Sequence, residues 1–302
     1  GFAGSLLART LLRRGREVVV VDDGHKHSSS KAAAGLINPL AGRQLALPPR
    51  VGQWLATAGE VYGALEAELG ARLLFARPMI RLAPSEKDQR RWERRLGEEP
   101  GYIPYVERPF APGESGLAIR DPFGGLVQSQ TGYIAPEVLL GGMREQLAQA
   151  GRLRDEPFDP DELQVGPEGV VWHDITAEHV IFCEGRRATD NPWFGALPLR
   201  PVKGEILTLS GAFSLQGNIV NAGKWLLPLE DGRVKLGATY DHSRVDEEPT
   251  DAAREALLSA LGSLLQKPPL VEVVEHRAGV GPGTADRAPL IGLHPAYPRL
   301  GI

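Results

Sequence analysis

The sequence is poor in sulphur and in long apolar runs. Of its 302 residues, one is cysteine and two are methionine. A lone cysteine, Cys183, excludes an internal disulfide and favours a reducing compartment, so we expect a cytoplasmic protein with Cys183 as an inert buried thiol. No run of about 18 apolar residues occurs, so we also expect no transmembrane segment.

Excess positive charge is also absent. The net charge is −4 and the sequence pI is near 6.0, which gives no reason to expect nucleic acid as a partner. His25 and His27 are not joined by cysteines or carboxylates at metal-ligand spacing, so we predict no metal site. No GxSxG motif or Ser/His/Asp arrangement occurs, which disfavours a serine hydrolase.

The chain begins with half of a recognisable motif. Gly1-Phe2-Ala3-Gly4 is followed by apolar residues at helical spacing and then by the apolar run Val18 to Val21. This order matches the second half of the GxGxxG fingerprint of dinucleotide-binding folds, with Gly1 as second glycine and Gly4 as third. Asp22, with Asp23 as a substitute, stands where an acid about 20 residues later binds a ribose. Such a carboxylate repels a 2′-phosphate and favours FAD or NAD over NADP.

Half a fingerprint does not establish a cofactor site, because an ordinary glycine-led helix followed by a strand shows the same residues. A complete dinucleotide fold has a strand before the glycines, and Leu300-Gly301-Ile302 resembles the beginning of another strand. We therefore expect the chain to be a fragment with residues missing at both ends.

Hydrophobic periodicity indicates two domains. It predicts helices at about 52–69, 86–96, 136–150 and 251–265, and strands at 78–82, 170–173, 179–183, 203–210, 224–228 and 234–239. Consecutive strands that interrupt a dinucleotide fold indicate a second, antiparallel domain.

Several segments in order resemble one family, the FAD-dependent oxidoreductases of the D-amino-acid oxidase and glycine oxidase type. They are Gly1 to Asp22, the small-residue loop Ser28 to Pro39, Gly132 to Ile134, His179 to Gly185, Arg200 to Leu207, Leu226 to Pro228, Leu236 to Thr239 and Gly279 to Gly292. Small side chains let a backbone approach a large flat cofactor, although a plain Ser/Ala linker has the same composition.

The resemblance implies an α/β fold with a Rossmann-like doubly wound FAD-binding domain and a second α+β substrate domain built on an antiparallel sheet. It assigns residues 1–75, 131–200 and 276–302 to the FAD-binding domain, and 76–130 and 201–275 to the substrate domain. Together with the fingerprint it implies that FAD contacts Gly1, Gly4, Asp22, Asp23, Ser30, Ala33, Ala34, Gly35, Leu36 and Gly185. The implied reaction is oxidation of a C–N bond of a small amine or amino acid by hydride transfer to flavin.

One position departs from the family pattern. Relatives that act on amino acids present an arginine in a GxRP sequence, where its planar guanidinium grips a carboxylate. This chain has Gly279-Val280-Gly281-Pro282, with glycine in the arginine's place. Arg277 lies on the same side of the predicted strand by the period-two rule and is our first candidate for substrate binding. Further candidates are Arg43, Lys203 and Tyr240.

Two alternatives keep the flavin. The chain is then either the flavin domain of a larger enzyme that acts on a bulky substrate such as a modified tRNA base, or a flavin-binding protein that has lost catalysis. An NAD dehydrogenase is disfavoured because the small-residue loop and the later strand motifs would serve no purpose there. The sequence leaves the substrate, the electron acceptor and the oligomeric state open.

Overall fold

The computed structural model describes residues 1–26, 28–286 and 288–302. His27, one of the two histidines weighed above for metal binding, lies outside the described residues. The helices are α1 (Phe2–Arg13), α2 (Ser29–Ala32), α3 (Val51–Leu69), α4 (Glu86–Glu98), α5 (Pro136–Gln149) and α6 (Asp251–Leu264). Short 3₁₀ helices cover Pro100–Tyr105, Pro160–Glu162 and Gly185–Thr189.

The helix ends follow local chemistry. Hydroxyls cap the N-termini of α4 and α6, where Ser85 accepts a hydrogen bond from the Asp88 amide and Thr250 accepts one from the Ala253 amide. Gly70 ends α3 in a left-handed conformation that suits glycine.

The strands are mostly short. They are β1 (Val20–Val21), β2 (Leu36–Ile37), β3 (Leu74–Ala76), β4 (Met79–Leu82), β5 (Val106–Phe110), β6 (Gly125–Gln128), β7 (Gly132–Ile134), β8 (Leu153–Arg154), β9 (Gln164–Val165), β10 (Val170–Trp172), β11 (Ile175–Ala177), β12 (Val180–Ile181), β13 (Val202–Gly211), β14 (Ile219–Ala222), β15 (Lys224–Pro228), β16 (Val234–Gly237), β17 (Val271–Gly281) and β18 (Leu300–Gly301).

The dinucleotide-binding part contains parallel strand pairs. β1 pairs with β8 and β12 pairs with β18, both in parallel register. α3 and α5 form a core beside them through Leu65, Leu139, Leu140 and Met143, on which α1 packs Phe2 and Leu6. Parallel pairs covered by helices are typical of doubly wound folds.

The second part is one large sheet of eight strands, in the order β17-β13-β16-β15-β14-β4-β6-β5. All its neighbours are antiparallel except β14 and β4. One face carries Leu207, Leu226 and Leu236 and packs against α6 through Leu257 and Leu261. We call the opposite face the inner face, because it packs against the small sheet β2-β7-β3.

The small sheet was not predicted. Its three strands are two or three residues long, which is too short for alternating hydrophobicity to be visible. β3 and β7 stand where the chain enters and leaves the first segment of the large sheet, β4 to β6. β2 lies inside the stretch whose composition is that of a Ser/Ala/Gly-rich loop. The predicted domain boundaries stay a prediction.

Candidate cofactor and substrate site

The N-terminus of α1 faces the hydroxyls of the small-residue loop. The Phe2 amide donates a 3.2 Å hydrogen bond to Ser30 Oγ. A Cβ atom on Gly1 would lie only 2.7 Å from Ser28 Oγ. Backbone amides at a helix N-terminus together with serine hydroxyls are suited to bind a phosphate group.

Gly4 brings α1 close to the end of β12. A Cβ atom at Gly4 would lie 3.1 Å from the Cβ of Cys183, which is tighter than most such contacts. This is the role expected of the third glycine in the fingerprint, close packing of helix on strand. Gly185, two residues after Cys183, adopts a left-handed conformation. Burial raises the pKa of the Cys183 thiol, which fits an inert thiol.

Asp22 and the start of α1 meet at His25. Asp22 Oδ1 accepts hydrogen bonds from the amides of Gly24 (3.1 Å) and His25 (2.9 Å) and from the Arg144 guanidinium. His25 Nδ1 lies 3.3 Å from Asp22 Oδ2 and 3.4 Å from the Gly1 nitrogen. Burial alone would raise the pKa of Asp22, but the side-chain and backbone hydrogen bonds from His25 and the charge of His25 hold that pKa well below its usual range. The acid is therefore ionised beside the helix N-terminus.

Arg144 is a site residue that sequence reasoning missed. It projects from α5 to Asp22 and also pairs with Asp155 at 2.5 Å. The available signal was that Arg144 is the single basic residue of that helix. Asp23, the substitute acid, makes none of these hydrogen bonds within the described part of the chain.

The small-residue loop then passes the inner face of the large sheet. Ala34 is buried and Leu36 half-buried, and both pack with Tyr133 and Trp225. Gly35 has a φ of +71°, and a Cβ atom there would lie 2.2 Å from the Ile134 carbonyl oxygen. Glycine is therefore required at this position.

α2 is packed equally closely on β17. A Cβ atom at Gly279 would lie 2.8 Å from the Cβ of Ala32. Ala33 follows directly in an extended conformation as the C-cap of α2. The N-terminus of α1, the ionised Asp22 and the small-residue loop thus lie in one continuous region, and their chemistry fits an adenine dinucleotide with a flat redox ring.

Strand register defines the part of the inner face that meets this loop. Trp225 pairs with Gly237, Gly237 with Ile206, and Ile206 with Arg277, so these four residues form one row across the sheet. A Cβ atom on Gly237 would lie 2.5 Å from the Trp225 ring, which therefore covers the glycine. Trp225 was part of a predicted strand but was not singled out as a site residue.

Arg277 does lie on the same side of β17 as Gly281, but it is committed to other partners. Its guanidinium donates to the Lys31 carbonyl oxygen at 2.8 Å and pairs with Glu275 at 2.5 Å and with Glu137. Gly281 lies four positions further along the strand, a distance of about 13 Å. The predicted role of Arg277 in substrate binding stays a prediction. Its contacts favour a structural role in which it joins β17, α2 and α5.

Lys203 is directed away from the inner face. It alternates with Gly204 and lies on the side of Leu207, under the segment that leads to α6. Its side chain is 1% exposed, and its Nζ lies 2.6 Å from Asp246 Oδ1 and 3.6 Å from Glu205 Oε1. These contacts describe a buried ion pair within the protein.

Arg43 and Tyr240 lie near the surface. Arg43 is bound to the buried carboxylate of Asp88, with Nε and Nη2 at 3.1 and 2.5 Å from Oδ2. Tyr240 is 69% exposed, and the ammonium of Lys224 lies 5.8 Å from its ring centre. Of these two residues, Tyr240 is the one at the sheet end that includes Gly281. Its neighbour Asp241 forms a β-bridge with Lys203 at the start of β13, and the adjacent Val202 pairs with Gly281. Gly281 itself has room for a side chain, since the nearest atom to a Cβ there is the Val202 oxygen at 4.0 Å.

Two absences apply to the described residues. None of their helices is both long enough and apolar enough to span a bilayer. Nowhere among them do three or more histidine, cysteine, aspartate or glutamate side chains gather in a group suited to a metal ion.

Comparison with known proteins assigns this architecture to a class and then to a family. The fold is that of a crystallised glycine oxidase from Geobacillus kaustophilus, with a TM-score of 0.82 at 22% identity over 99% of this chain and 85% of that one. The family model described as DAO, FAD dependent oxidoreductase, matches residues 1–302. The chain belongs to this family. The predictions of the fold class, of the family and of FAD as its cofactor are therefore confirmed.

Curated relatives match over different extents. A glycine oxidase from Pseudomonas aeruginosa is 35% identical over 107 residues, which are 35% of this chain and 29% of that protein. The tRNA 5-methylaminomethyl-2-thiouridine biosynthesis bifunctional protein MnmC from Chromohalobacter salexigens is 25% identical over 97% of this chain and 44% of its own length. The chain thus spans less than half the length of these curated relatives.

Proposed function

We propose that this chain acts as an FAD-dependent oxidoreductase that oxidises a C–N bond of a small amine or amino acid. The observation that carries the proposal is the convergence of three elements, the N-terminus of α1, ionised Asp22 and the small-residue loop, next to the inner face of the large sheet. The similarity to glycine oxidases in sequence and fold supports a small amino compound as the substrate class.

Different residues of the site would contact different parts of FAD. Ser28, Ser30 and the amides of α1 would hold the phosphates, Asp22 a ribose, and the segment around Gly35 the flat ring. When bound, FAD supplies the two-electron acceptor for conversion of the substrate C–N single bond to an imine, which water then hydrolyses. The inner face around Trp225 would exclude water from the reacting atoms and orient the substrate.

A bulky substrate is the second candidate. The relatives named for tRNA 5-methylaminomethyl-2-thiouridine biosynthesis align with 97% or more of this chain, whereas the glycine oxidase of Pseudomonas aeruginosa aligns with 35% of it. Gly281 leaves open space at the sheet end, which accommodates a larger substrate. The higher local identity to glycine oxidases and the fold similarity favour the small substrate.

Flavin reduction tests the proposal directly. The purified protein, loaded with FAD, is mixed without oxygen with glycine, iminodiacetate or a tRNA preparation, and the visible flavin absorption is followed. Loss of the oxidised spectrum with a small amine supports the proposal. Reduction by the tRNA preparation alone supports the second candidate, and an unchanged spectrum with every donor supports a flavin-binding protein without catalysis.

A further inference from the structure

Arg81 is a buried cation on the inner face of the large sheet. It lies in β4 and is 5% exposed. Arg81 pairs with Asn221 of β14, and Asn221 pairs with Trp225 of β15, so Arg81 belongs to the same row of the inner face as Trp225. Burial lowers the pKa of its guanidinium to about 10, and no carboxylate of the described residues forms an ion pair with it. An ion pair therefore does not account for this charge.

The guanidinium binds the backbone that continues the small-residue loop beyond β2. Its Nη1 donates a 2.6 Å hydrogen bond to the Leu40 carbonyl oxygen, and its Nη2 donates to the Gly42 carbonyl oxygen. The Trp92 ring closes the other side, with its centre 5.9 Å from the guanidinium carbon. The planar fork of an arginine is suited to donate to two oxygens at once. Arg81 therefore fixes the distance between segment 38–42 and β4.

Gln128 binds the same segment from the neighbouring strand. It is 0% exposed in β6 and pairs with Met79 of β4, which lies two residues from Arg81 on the same face. Its Nε2 donates a 2.7 Å hydrogen bond to Asn38 Oδ1, and the Leu40 amide donates to the same oxygen at 3.2 Å. Because the Leu40 amide can only donate, it fixes which atom of Asn38 is the oxygen. Gln128 Oε1 then has no hydrogen-bond partner among the described residues.

These two side chains are costly for the fold. A buried charge without an acid and a buried acceptor without a donor each lower the stability, and apolar residues of similar volume would avoid both costs. The hydrogen bonds that the two side chains make all converge on segment 38–42, which directly follows β2. Apolar side chains could fill the space but could not hold this segment at a fixed distance from the sheet. The arrangement is thus better suited to precise positioning of the segment than to stability.

We propose that Arg81 and Gln128 are positioning residues of the flavin and substrate site. By holding segment 38–42 against β4 and β6, they set how far β2 stands from the inner face, and therefore the width of the gap that the flavin ring and the substrate share. Both are buried, so they act through Asn38 and through Leu36, which packs on the inner face. The inference rests on the proposed function for the identity of the site. Reactive groups must be held within about 0.5 Å of the productive geometry, so this spacing matters for the reaction.

The visible circular dichroism of bound flavin tests the positioning role without turnover, because it reports the surroundings of the ring. In protein saturated with FAD, Arg81→Met should change this spectrum, and it should raise the Kd for FAD about tenfold. Arg81→Lys should restore most of the spectrum and of the affinity, since an ammonium group can still donate to the carbonyl oxygens. A loss of stability alone would lower Tm but leave the spectrum of the FAD-saturated folded protein unaltered.

Gln128→Leu is the second variant, and it keeps the test decisive if Arg81→Met does not fold. It removes the hydrogen bond to Asn38 without altering a charge. It should change the visible circular dichroism in the same direction as Arg81→Met, by a smaller amount. An unaltered flavin spectrum in Gln128→Leu, or in folded Arg81→Met, would overturn the inference.

Arg120→Met is the matched control. Arg120 also donates to two backbone carbonyl oxygens, those of Gly262 at 2.5 Å and Ser263 at 3.2 Å, but these lie at the end of α6, which packs on the other face of the sheet. Its replacement should lower Tm and leave both the flavin spectrum and the Kd for FAD unchanged. A change of the spectrum in Arg120→Met as large as that in Arg81→Met would show that lost stability, not lost positioning, is responsible, and would overturn the inference.

The rate of flavin reduction separates this inference from the proposed function. With an amine that reduces the flavin, the rate constant at saturating substrate should be about tenfold lower in Arg81→Met than in the unaltered protein, because the substrate is no longer held at the distance that the reaction requires. If no amine reduces the flavin, the proposed function fails, while circular dichroism and FAD titration still decide the role of Arg81. If an amine reduces the flavin and the rate constant, the spectrum and the Kd are all unaltered in Arg81→Met, only the inference about Arg81 fails.

Discussion

Gly35 occupies the most restricted position in the small-residue loop. Its φ of +71° lies in the left-handed region, and a Cβ atom would overlap the Ile134 backbone oxygen at 2.2 Å. Because that oxygen belongs to β7, the overlap cannot be relieved by moving a side chain. Gly35→Ala should lower the free energy of unfolding by about 2–4 kcal/mol and reduce the FAD content of the purified protein. Chemical denaturation and flavin absorbance measure the two effects.

Gly63 provides the matched control for this substitution. It lies on the exposed side of α3, and no atom stands within 4 Å of the position of its Cβ. Gly63→Ala should stabilise the protein by about 0.5–1 kcal/mol, as expected for alanine in a helix interior. Equal effects of the two substitutions would show that the loop does not require glycine.

Asp22 should contribute to FAD affinity as an ionised acceptor. Asp22→Asn removes the charge and places an amide against the donors of His25 and Arg144, so the Kd for FAD should rise about tenfold or more. Asp23→Asn is the control and should leave the Kd nearly unchanged, because Asp23 lacks these contacts within the described residues. Titration of the FAD-free protein, followed by flavin fluorescence, gives both values.

The pKa of Asp22 fixes the sign of its pH dependence. The pKa of Asp22 in the folded protein lies below the ordinary value of 3.8. The ionised carboxylate therefore stabilises the folded protein fully at any pH above 3.8, and this stabilisation is lost only as the pH falls through the lowered pKa. The ratio of Kd values for Asp22→Asn and the unaltered protein should therefore stay constant from about pH 8 to pH 5. A ratio that approaches one within this window would contradict an ionised, strongly hydrogen-bonded Asp22.

At this scale the sequence predicts motif residues better than their partners. Gly1, Gly4 and Asp22 could be predicted as cofactor residues because the fingerprint fixes their spacing along one helix and one strand. His25 and Arg144 complete the same corner, but Arg144 comes from α5, more than 120 positions later in the chain. No local pattern encodes such a contact, because it depends on how distant elements pack.

At the scale of elements, the contact between α2 and β17 holds the small-residue loop on the large sheet. Arg277 joins them by donating to the Lys31 carbonyl oxygen and by pairing with Glu275 and with Glu137 of α5. Arg277→Met should lower the free energy of unfolding by about 1–3 kcal/mol and leave the KM of a carboxylate substrate within about twofold. Thermal unfolding and steady-state kinetics measure these effects.

Arg233 is the matched control. It lines a cleft on the inner face together with Arg277, and it pairs with Asp231 at the surface, where both side chains are 49% exposed. Arg233→Met should change the stability by no more than about 1 kcal/mol. A tenfold increase in KM for Arg277→Met at unchanged stability would instead support the role in substrate binding that its position on the strand first suggested.

Element boundaries were predicted well where a helix or strand is long, as for α3, α6 and β13. The sequence could show that two residues of the same strand, such as Arg277 and Gly281, lie on the same side of the sheet. It could not relate the sides of different strands. Lys203 was placed in the correct strand, but the sequence could not indicate which face of the sheet α6 would cover. Because α6 covers the face that carries Lys203, this lysine lies in a buried ion pair, whereas Trp225 on the other face lies beside the small-residue loop. Which face is covered depends on the pairing order of eight strands.

At the scale of the whole molecule, the proposed cofactor residues come from distant segments. α1, Asp22, the small-residue loop, the end of β12 and the face of β17 all border one region. A ligand that contacts all of them stabilises the folded chain, because the unfolded chain cannot assemble the site. FAD binding should therefore be coupled to the stability of both parts of the molecule.

Removal of FAD measures this coupling. At a free FAD concentration 100 times its Kd, the folded state gains about 2.7 kcal/mol, which corresponds to an increase in Tm of about 5 °C for a chain of this size. At the same concentration, Asp22→Asn should lose about half of that increase, because a tenfold weaker affinity removes about 1.4 kcal/mol. NAD shares the adenosine diphosphate part but lacks the flavin ring, so it should give a smaller shift. A shift with NAD as large as that with FAD would mean that the small-residue loop and the inner face contribute nothing to cofactor binding, and the arrangement proposed around Gly35 and Trp225 would then be wrong.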